Sequence, residues 1–300
     1  MALVPFDDRD GWIWQDGAMV PWRDAKLHVL THALHYGSAV FEGERCYGGH
    51  IFKLREHTNR LAASAKILGF TLPWSAEEID AACIATLAAN NLKDAYVRPI
   101  AWRGPEEMGV AAKNTKIHMA IACWEWGAYF GVEQRMAGVR LSMAPWKRPH
   151  PETAPTASKA AGLYMIGTLS KHAAMDAGFD DALMLDCKGD VAEATGANVF
   201  LVIDGEIHTP VPDNFLDGIT RRTVMGLART RQMKVVERII PESDLARATE
   251  IFLCGTAAEV TPVREIAGRT YTPGEITRTL MTDYAALVQM TPEEVAKRAA

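Results

Sequence analysis

The chain has 300 residues, of which 48% are hydrophobic and 23% charged, a composition that predicts a soluble protein with a substantial core. Its formal net charge of −5 and isoelectric point near 6.0 argue against a nucleic-acid partner. The five cysteines are widely spaced without a C-x-x-C pair, which argues against structural zinc and disulfides and favours reduced thiols in a cytoplasmic protein.

Export and membrane insertion are not expected. The first ten residues are acidic where a secretory signal requires a basic start and an apolar stretch. The longest apolar runs, such as 117–124, are far shorter than the ~18 residues of a membrane span. No metal site is predicted, because the nine histidines are scattered and have no acidic partner at H-E-x-x-H spacing.

Helical and extended patterns alternate irregularly in the first half of the chain. A hairpin is predicted over 42–52, where two consecutive glycines separate two extended runs. Apolar residues at helical spacing predict a helix over 54–68, and Ser75 with Glu78 forms a capping box before the next helix.

A domain connection is predicted near the middle of the chain. Strands predicted over 96–102 and 116–123 precede a stretch at 125–136, in which glycines and aromatic residues interrupt any regular period. We therefore expect a small N-terminal α/β domain at 1–124 and a larger C-terminal domain at 137–300.

The second half also mixes helices and strands. Helices are predicted over 160–177 and from Thr220, strands joined by tight turns lie between 182 and 207, and a further strand covers 251–254. Tight turns make neighbouring strands antiparallel, so the predicted fold class is mixed α/β (α+β).

Lys159 and Glu193 form the most informative polar pair. Lys159 lies in a run of small residues without an acidic neighbour, a setting in which an amine can be desolvated and lose its proton. Glu193 lies in a predicted strand, where a buried carboxylate requires a partner, either a protonated pyridine or an arginine. Pyridoxal phosphate requires such a lysine and carboxylate, so the sequence indicates this cofactor before it indicates a substrate.

Two glycine–threonine segments have the composition of anion sites. The segment 216–220 opens a predicted helix and 254–258 follows a predicted strand, and each brings together a glycine, a hydroxyl and backbone N–H groups. Arg60, on the flank of a helix, would complete a phosphate site through its fork of donors. The alternatives are ordinary caps and turns, and a solvated helix arginine.

An arginine lies between aromatic residues on one predicted strand. The alternation of a strand places Tyr96, Arg98 and Trp102 on the same face. Such an arginine would bind a substrate carboxylate, and a surface arginine stacked on aromatic rings is the alternative. The other aromatic candidates are either pocket residues or ordinary core: Phe41, Trp126, Tyr129 and Tyr164.

Eight segments in this order resemble the fold-type IV pyridoxal-phosphate aminotransferases, and most closely the branched-chain amino acid aminotransferases. The segments are 35–43, 55–60, 96–99, 126–129, Lys159 with Tyr164, 193–198, 218–220 and 255–263. The resemblance covers nearly the whole chain. It implies two domains, the larger with a mostly antiparallel pseudo-barrel sheet.

The resemblance also implies the cofactor site. Lys159 would bind pyridoxal phosphate covalently and act as the catalytic base, Glu193 would pair with the pyridine nitrogen, and Tyr164 would contact O3′. The residues implied in holding the phosphate and its loop are Arg60, Leu216, Gly218, Ile219, Thr220 and Thr256.

The implied substrate pocket takes either an aliphatic side chain or the side-chain carboxylate of glutamate, with Arg98 as the partner of that carboxylate. The residues implied in substrate binding are Tyr36, Phe41, Tyr96, Arg98, Val110, Trp126, Tyr129, Thr256 and Ala257. Tyr36 and Val110 would act across a subunit boundary, so a homodimer at least is expected, and a hexamer is compatible with this expectation.

The implied activity transfers the amino group of leucine, isoleucine or valine to 2-oxoglutarate, and the reverse, by a ping-pong mechanism. Trp102 and Arg103 depart from the mostly apolar segment usual in the family. An altered pocket there would favour a D-amino-acid or (R)-amine transaminase of the same fold. A non-catalytic protein that binds pyridoxal phosphate or a metabolite is a further alternative, although every expected catalytic position is filled.

Overall fold

The computed structural model describes residues 4–126, 135–291 and 294, which divide into two units. The first unit contains the described residues up to Trp126 together with Ser158–Gly162, and the second contains those from Arg135 to Ala157 and from Leu163 onward. The predicted boundary placed all of 137–300 in one domain, whereas the short segment that carries Lys159 belongs to the first unit.

The first unit is built on a seven-stranded sheet with helices. Its strands are β1 (Trp12–Gln15), β2 (Ala18–Pro21), β3 (Ala39–Phe41), β4 (Glu44–Tyr47), β5 (His50–Ile51), β6 (Ala95–Arg103) and β7 (Ile117–Glu125). Its α-helices are α1 (His32–Tyr36), α2 (Leu54–Ile67) and α3 (Ala76–Ala89), and Trp22–Asp24 forms a 3-10 helix.

All pairings in this sheet are antiparallel, in the order β2-β1-β7-β6-β4-β5, with β3 alongside β6. Apolar residues of α2 and α3 cover one face, where Leu61 and Cys83 pack with Val97 of β6 in a buried core. The predicted hairpin is confirmed as β4 and β5, and the predicted capping box is confirmed by hydrogen bonds between Ser75 and Glu78 in both directions.

The second unit contains the remaining strands and helices. Its strands are β8 (Val139–Met143), β9 (Asp181–Leu185), β10 (Val191–Ala194), β11 (Asn198–Ile203), β12 (Glu206–Pro210), β13 (Val235–Arg238), β14 (Glu250–Gly255), β15 (Glu259–Ile266) and β16 (Arg269–Thr270). Its α-helices are α4 (Met165–Asp176), α5 (Ile219–Thr230) and α6 (Glu275–Val288), and Glu242–Ala246 forms a 3-10 helix.

Six of these strands close into a ring. They pair in the order β10-β9-β8-β15-β14-β11, and β11 returns to β10 through the pair Glu193 and Asn198. The β10–β9, β10–β11, β11–β14 and β14–β15 pairs are antiparallel, while β8 lies parallel to both β9 and β15. Apolar residues such as Leu141, Val199 and Leu253 fill a buried core. The mixed fold class with a mostly antiparallel pseudo-barrel is confirmed.

The predicted helix over 160–177 is divided. Ala161–Tyr164 is a 3-10 helix, α4 begins only at Met165, and Tyr164 is its N-cap. Glycine at position 162 favours neither helix type, and Ala160 is held in an antiparallel bridge with Val40, so the start of the segment is extended rather than helical. None of the helices in the described residues has the length and apolar character of a membrane span.

A buried carboxyl group of the first unit has no hydrogen-bond partner among the described residues. Glu44 on β4 has no exposed surface, and neither of its carboxyl oxygens has a hydrogen-bond partner among the described residues. Burial raises the pKa of this carboxyl well above its ordinary value of 4.5, and the nearby charges of Glu42 and Asp80 raise it further. Glu44 is therefore protonated in the folded protein at pH values where an exposed glutamate is ionised.

Replacing Glu44 by methionine is expected to stabilise the protein by about 1–3 kcal/mol at pH 8, because a polar group without a partner leaves the core. The unfolded chain releases the Glu44 proton above about pH 4.5. The contribution of Glu44 to stability is therefore full below that pH and is lost as the pH rises towards the folded pKa. The gain measured by urea unfolding should then grow from pH 5 to pH 8.

Glu44→Gln is the matched control for this prediction, because it keeps a polar end but does not titrate. A stability gain of Glu44→Met that shrinks as the pH rises would contradict the assignment of a protonated Glu44.

Candidate active site

Helix α2 presents three polar residues on one face in the first unit. His57, Arg60 and Ser64 follow one another at spacings of three and four residues, which places them in line along a helix. His57 and Arg60 contact Glu42, which directly follows β3, and Ser64 contacts the segment that carries Lys159. One helix face therefore holds both a predicted phosphate ligand and the predicted catalytic lysine segment.

The Arg60 guanidinium forms a bidentate ion pair with Glu42. Arg60 Nε lies 2.7 Å from Glu42 Oε1, and Nη2 lies 2.8 Å from Oε2. His57 Nδ1 lies 2.7 Å from the same Oε2. Burial alone would raise the pKa of Glu42, but the charges and hydrogen bonds of Arg60 and His57 outweigh burial and hold this pKa well below its ordinary value. Glu42 is thus a buried, fully paired carboxylate that the sequence did not single out.

The backbone of Lys159 is fixed on both sides. Its N–H donates to Ser64 Oγ at 3.0 Å, and its carbonyl oxygen accepts a hydrogen bond from the Phe41 N–H at 3.2 Å. The hydroxyl of Ser158 donates to the Ser64 carbonyl at 3.1 Å. The Lys159 amine lies 5.1 Å from the centre of the Phe41 ring. The predicted catalytic lysine is half-buried on a clamped backbone, beside an aromatic ring.

Arg98 contacts the Phe41 ring that also lies near the Lys159 amine. Its guanidinium carbon is 4.8 Å from the Phe41 ring centre and 5.1 Å from the ring of Tyr96, whose hydroxyl accepts a hydrogen bond from Arg98 Nη2 at 3.2 Å. The Nε group of Arg98 is buried without an acceptor among the described residues. Arg98 is therefore a partly buried cation with donor capacity left over for an anionic ligand.

Two tryptophans extend this aromatic cluster. The ring of Tyr96 stacks on Trp124 at 5.1 Å and lies 5.2 Å from Trp126, a predicted substrate residue. Trp124 was not predicted, although the pairing of β6 with β7 places it directly opposite Tyr96, and its buried indole Nε1 has no acceptor among the described residues. A Cβ at Gly43 would lie 1.9 Å from the Tyr96 hydroxyl, so glycine is required there for this hydroxyl to reach its position.

Trp102 and Arg103 have structural roles in this unit. Trp102 is buried and stacks on His118 at 5.8 Å. Arg103 donates to the carbonyl oxygens of Gly69 at 2.8 Å and Ala112 at 2.9 Å, and lies over the ring of Phe70. These contacts hold the Arg103 guanidinium on backbone acceptors away from the Arg98 cluster. The unusual pair therefore does not require an altered substrate site.

Two predicted substrate residues of the first unit, Tyr36 and Val110, are not part of this cluster. Tyr36 on α1 is 46% exposed and stacks on His32, and Val110 is 89% exposed in the segment that joins β6 to β7. Tyr129 lies outside the described residues. The exposure of Tyr36 and Val110 agrees with a role on a surface of the chain.

In the second unit, Glu193 lies at the strand pair that closes the barrel. Its Oε1 is 3.2 Å from Arg148 Nε, and its Oε2 accepts a hydrogen bond from Asn198 Nδ2 at 3.2 Å. The arginine alternative from the sequence is therefore realised. Arg148 was not predicted, because residues 45 positions apart in sequence meet only through the bridge of Arg148 to Asp186 and the pairing of β9 with β10.

Asn198 connects Glu193 to the predicted phosphate loop. Its Nδ2 also donates to the carbonyl oxygen of Leu216 at 3.1 Å. A Cβ added at Gly218 would lie only 2.1 Å from the Asn198 Oδ1 atom. Gly218 is the N-cap of α5, which begins with Ile219 and Thr220, and no side chain among the described residues caps this helix start. Such a helix start is suited to an anion.

The second anion segment is a hairpin turn. β14 ends at Gly255, the turn contains Thr256 and Ala257, and β15 begins at Glu259. The backbone of Gly255 approaches that of Gly196 and Ala197, which follow Glu193. Tyr164, at the end of the 3-10 helix, is half-buried. The barrel end thus carries the carboxylate and both glycine–threonine segments in one unit.

Gly218→Ala is expected to destabilise the protein by about 1–3 kcal/mol, because the new methyl group overlaps Asn198 Oδ1 although the backbone angles of Gly218 suit alanine. Urea unfolding measures the loss. Adding Asn198→Ala removes the overlap. The stability loss of the double variant should therefore be smaller than the sum of the losses of the two single variants. Strict additivity would contradict this steric account.

Comparison with known proteins agrees with this arrangement. The family model described as amino-transferase class IV matches residues 39–266. A branched-chain-amino-acid aminotransferase of Pseudomonas aeruginosa is 44% identical over 288 residues, which cover 94% of each chain.

Solved structures give the same result. A branched-chain amino acid aminotransferase of T.th. with pyridoxamine 5′-phosphate is 38% identical, with 96% of this chain and 97% of that chain covered and a TM-score of 0.92. The same enzyme complexed with N-(5′-phosphopyridoxyl)-L-glutamate is 37% identical, with the same coverage and a TM-score of 0.90. With its matched segment spanning both units, the chain belongs to the class IV aminotransferases.

Proposed function

We propose that this protein is a pyridoxal-phosphate-dependent aminotransferase that exchanges the amino group of leucine, isoleucine or valine with 2-oxoglutarate. The observation that carries the proposal is the shared ring of Phe41, which has the Lys159 amine at 5.1 Å and the Arg98 guanidinium at 4.8 Å. A reactive amine and a binding group for a carboxylate then flank one apolar surface. The names of the relatives, and the cofactor–glutamate compound bound to one of them, support the same activity.

Each unit by itself carries groups whose chemistry suits pyridoxal phosphate. The first unit supplies an amine at Lys159 and a guanidinium at Arg60. The second supplies the Glu193 carboxylate for a protonated ring nitrogen and the uncapped start of α5, with Thr220 and the turn at Thr256, for a phosphate. Tyr164 is the proposed partner of the ring hydroxyl. When bound, pyridoxal phosphate supplies an electron sink for negative charge at the substrate Cα.

Lys159 is the proposed proton carrier at Cα. Hydrogen bonds to both of its backbone groups fix the origin of the side chain, so only the flexible methylene chain moves when the amine accepts and returns a proton. Glu193, held by Arg148 and Asn198, keeps its position and its negative charge available for the ring nitrogen.

Arg98 explains how one pocket accepts two kinds of side chain. The aromatic rings of Phe41, Tyr96 and Trp124 surround the guanidinium. These rings provide an apolar surface for an aliphatic side chain. A glutamate carboxylate gains charge-assisted hydrogen bonds from the same group. Since the Tyr96 hydroxyl accepts a hydrogen bond from Arg98, the cation keeps this partner when leucine is bound.

We further propose that the protein works as a homodimer at least, in a reducing compartment such as the cytoplasm. Val29, Leu34 and Val110 are exposed apolar residues near α1. His32 of α1 forms hydrogen bonds to the carbonyl oxygens of Gly104 and Gly109, so α1 is held against the segment that contains Val110. A second subunit would cover this surface and receive Tyr36 and Val110. The five free thiols support the compartment.

Replacing Lys159 by alanine is expected to reduce turnover of L-leucine with 2-oxoglutarate by about a thousandfold or more, because the proton carrier is lost. The wild-type protein should show a visible absorbance band with pyridoxal phosphate that borohydride abolishes, and the variant should lack this band. Turnover of the wild-type protein is also measured with D-alanine and with (R)-phenylethylamine as amino donors. Activity on those two compounds without activity on L-leucine would replace the proposal by the D-amino-acid or amine alternative.

Arg98→Met is expected to lower kcat/KM for L-glutamate by about 10- to 100-fold, since a charge-assisted pair of about 1.5–3 kcal/mol is lost. The value for L-leucine should change several-fold at most, because methionine keeps an apolar surface. Steady-state kinetics with both amino donors tests this difference. Equal losses for the two donors would show that Arg98 does not bind the glutamate side chain.

A further inference from the structure

We propose that Glu42 is a positioning residue for the cofactor phosphate, acting by fixing the direction of the Arg60 guanidinium. The inference rests on the proposed function, because it requires pyridoxal phosphate as the ligand. Nothing in the sequence pattern of Glu42 distinguishes it from an ordinary strand-end glutamate. Its role follows from burial and from the geometry of the ion pair.

The first step is the geometry of the fork. The two hydrogen bonds from Arg60 Nε and Nη2 to the two oxygens of Glu42 hold the guanidinium and the carboxylate in one plane. The Glu42 side chain is fully buried, while the Arg60 side chain keeps 13% of its surface exposed. Glu42 therefore lies behind Arg60, and the direction of the opposite edge of the guanidinium is set by the pair.

The second step is the support of Glu42 itself. Its backbone N–H donates to the Pro99 carbonyl at 2.8 Å, and its Oε2 also receives the hydrogen bond of His57 Nδ1. Burial lowers the pKa of His57, an effect that the charge of Glu42 only partly offsets, so this ring is neutral at neutral pH. Because a carboxylate only accepts, the hydrogen of the neutral ring is on Nδ1.

The third step is what a neutral replacement does. Arg60 and His57 present only donors to the two oxygens of Glu42. In Glu42→Gln, the amide NH2 must face one of these donors, so at least one hydrogen bond is replaced by a donor–donor contact. The positive charge of Arg60 remains, but the guanidinium is no longer held in one orientation. Binding an anion then costs more conformational entropy, because the side chain must first be ordered.

The experiment compares binding of pyridoxal phosphate with binding of pyridoxal, which lacks the phosphate. Full-length protein stripped of cofactor is titrated with each compound, and the absorbance and tryptophan fluorescence changes give the dissociation constants. We expect Glu42→Gln to weaken pyridoxal phosphate binding about tenfold or more and to leave pyridoxal binding within twofold of wild type.

Glu44→Gln is the matched control. It changes a buried carboxyl two residues away that has no hydrogen-bond partner among the described residues, and it should leave both dissociation constants unchanged. Arg60→Met provides the second arm. If Glu42 acts through Arg60, adding Glu42→Gln to Arg60→Met should cause no further loss of pyridoxal phosphate affinity.

Two outcomes overturn the inference. The first is unchanged affinity of Glu42→Gln for pyridoxal phosphate, and the second is an equal loss for pyridoxal, which indicates a general structural role. If Glu42→Gln does not fold, Glu42→Asp keeps the charge and shortens the reach, and the same selective loss is expected. Failure of the wild-type protein to bind pyridoxal phosphate would instead refute the proposed function.

Discussion

A carboxylate taken out of water must be paired in a fixed geometry, and the candidate site residues of each unit are organised by this constraint. Glu42 has Arg60 and His57 as partners, and Glu193 has Arg148 and Asn198. In each unit the partners come from other elements, α2 in the first unit and β11 with the segment of Arg148 in the second. The pairs therefore link the local structure around the functional residues to the packing of the whole unit.

The two units solve this problem with different architecture. In the first, one face of α2 supplies His57, Arg60 and Ser64, so a single helix orients an ion pair and also anchors the Lys159 segment. In the second, closure of the barrel brings β10 against β11 at Glu193 and Asn198, and Asn198 extends the network to the start of α5. A helix face and a sheet closure thus each fix several functional groups together.

Glu44 and Arg98 both have buried polar atoms without a hydrogen-bond partner among the described residues, with different consequences. Glu44 lies in the apolar core between the sheet and its helices, where the absence of a partner among the described residues keeps it protonated and costs stability. Arg98 lies among aromatic rings with an Nε group that has no acceptor in the described part of the chain. An unpaired donor in an aromatic pocket is suited to a ligand carboxylate, whereas an unpaired carboxyl in a packed core cannot be reached by a ligand.

Local rules in the sequence determined much of this protein. Two glycines predicted the β4–β5 hairpin, Ser75 and Glu78 predicted the start of α3, and the period of two placed Tyr96 and Arg98 on one face, because these features depend on neighbours within a few residues. Only the tertiary structure paired Glu42 with Arg60 and Glu193 with Arg148, added Trp124, and tied Arg103 to backbone carbonyls. These contacts arise from strand register, helix packing and barrel closure, which join residues that a linear pattern cannot bring together.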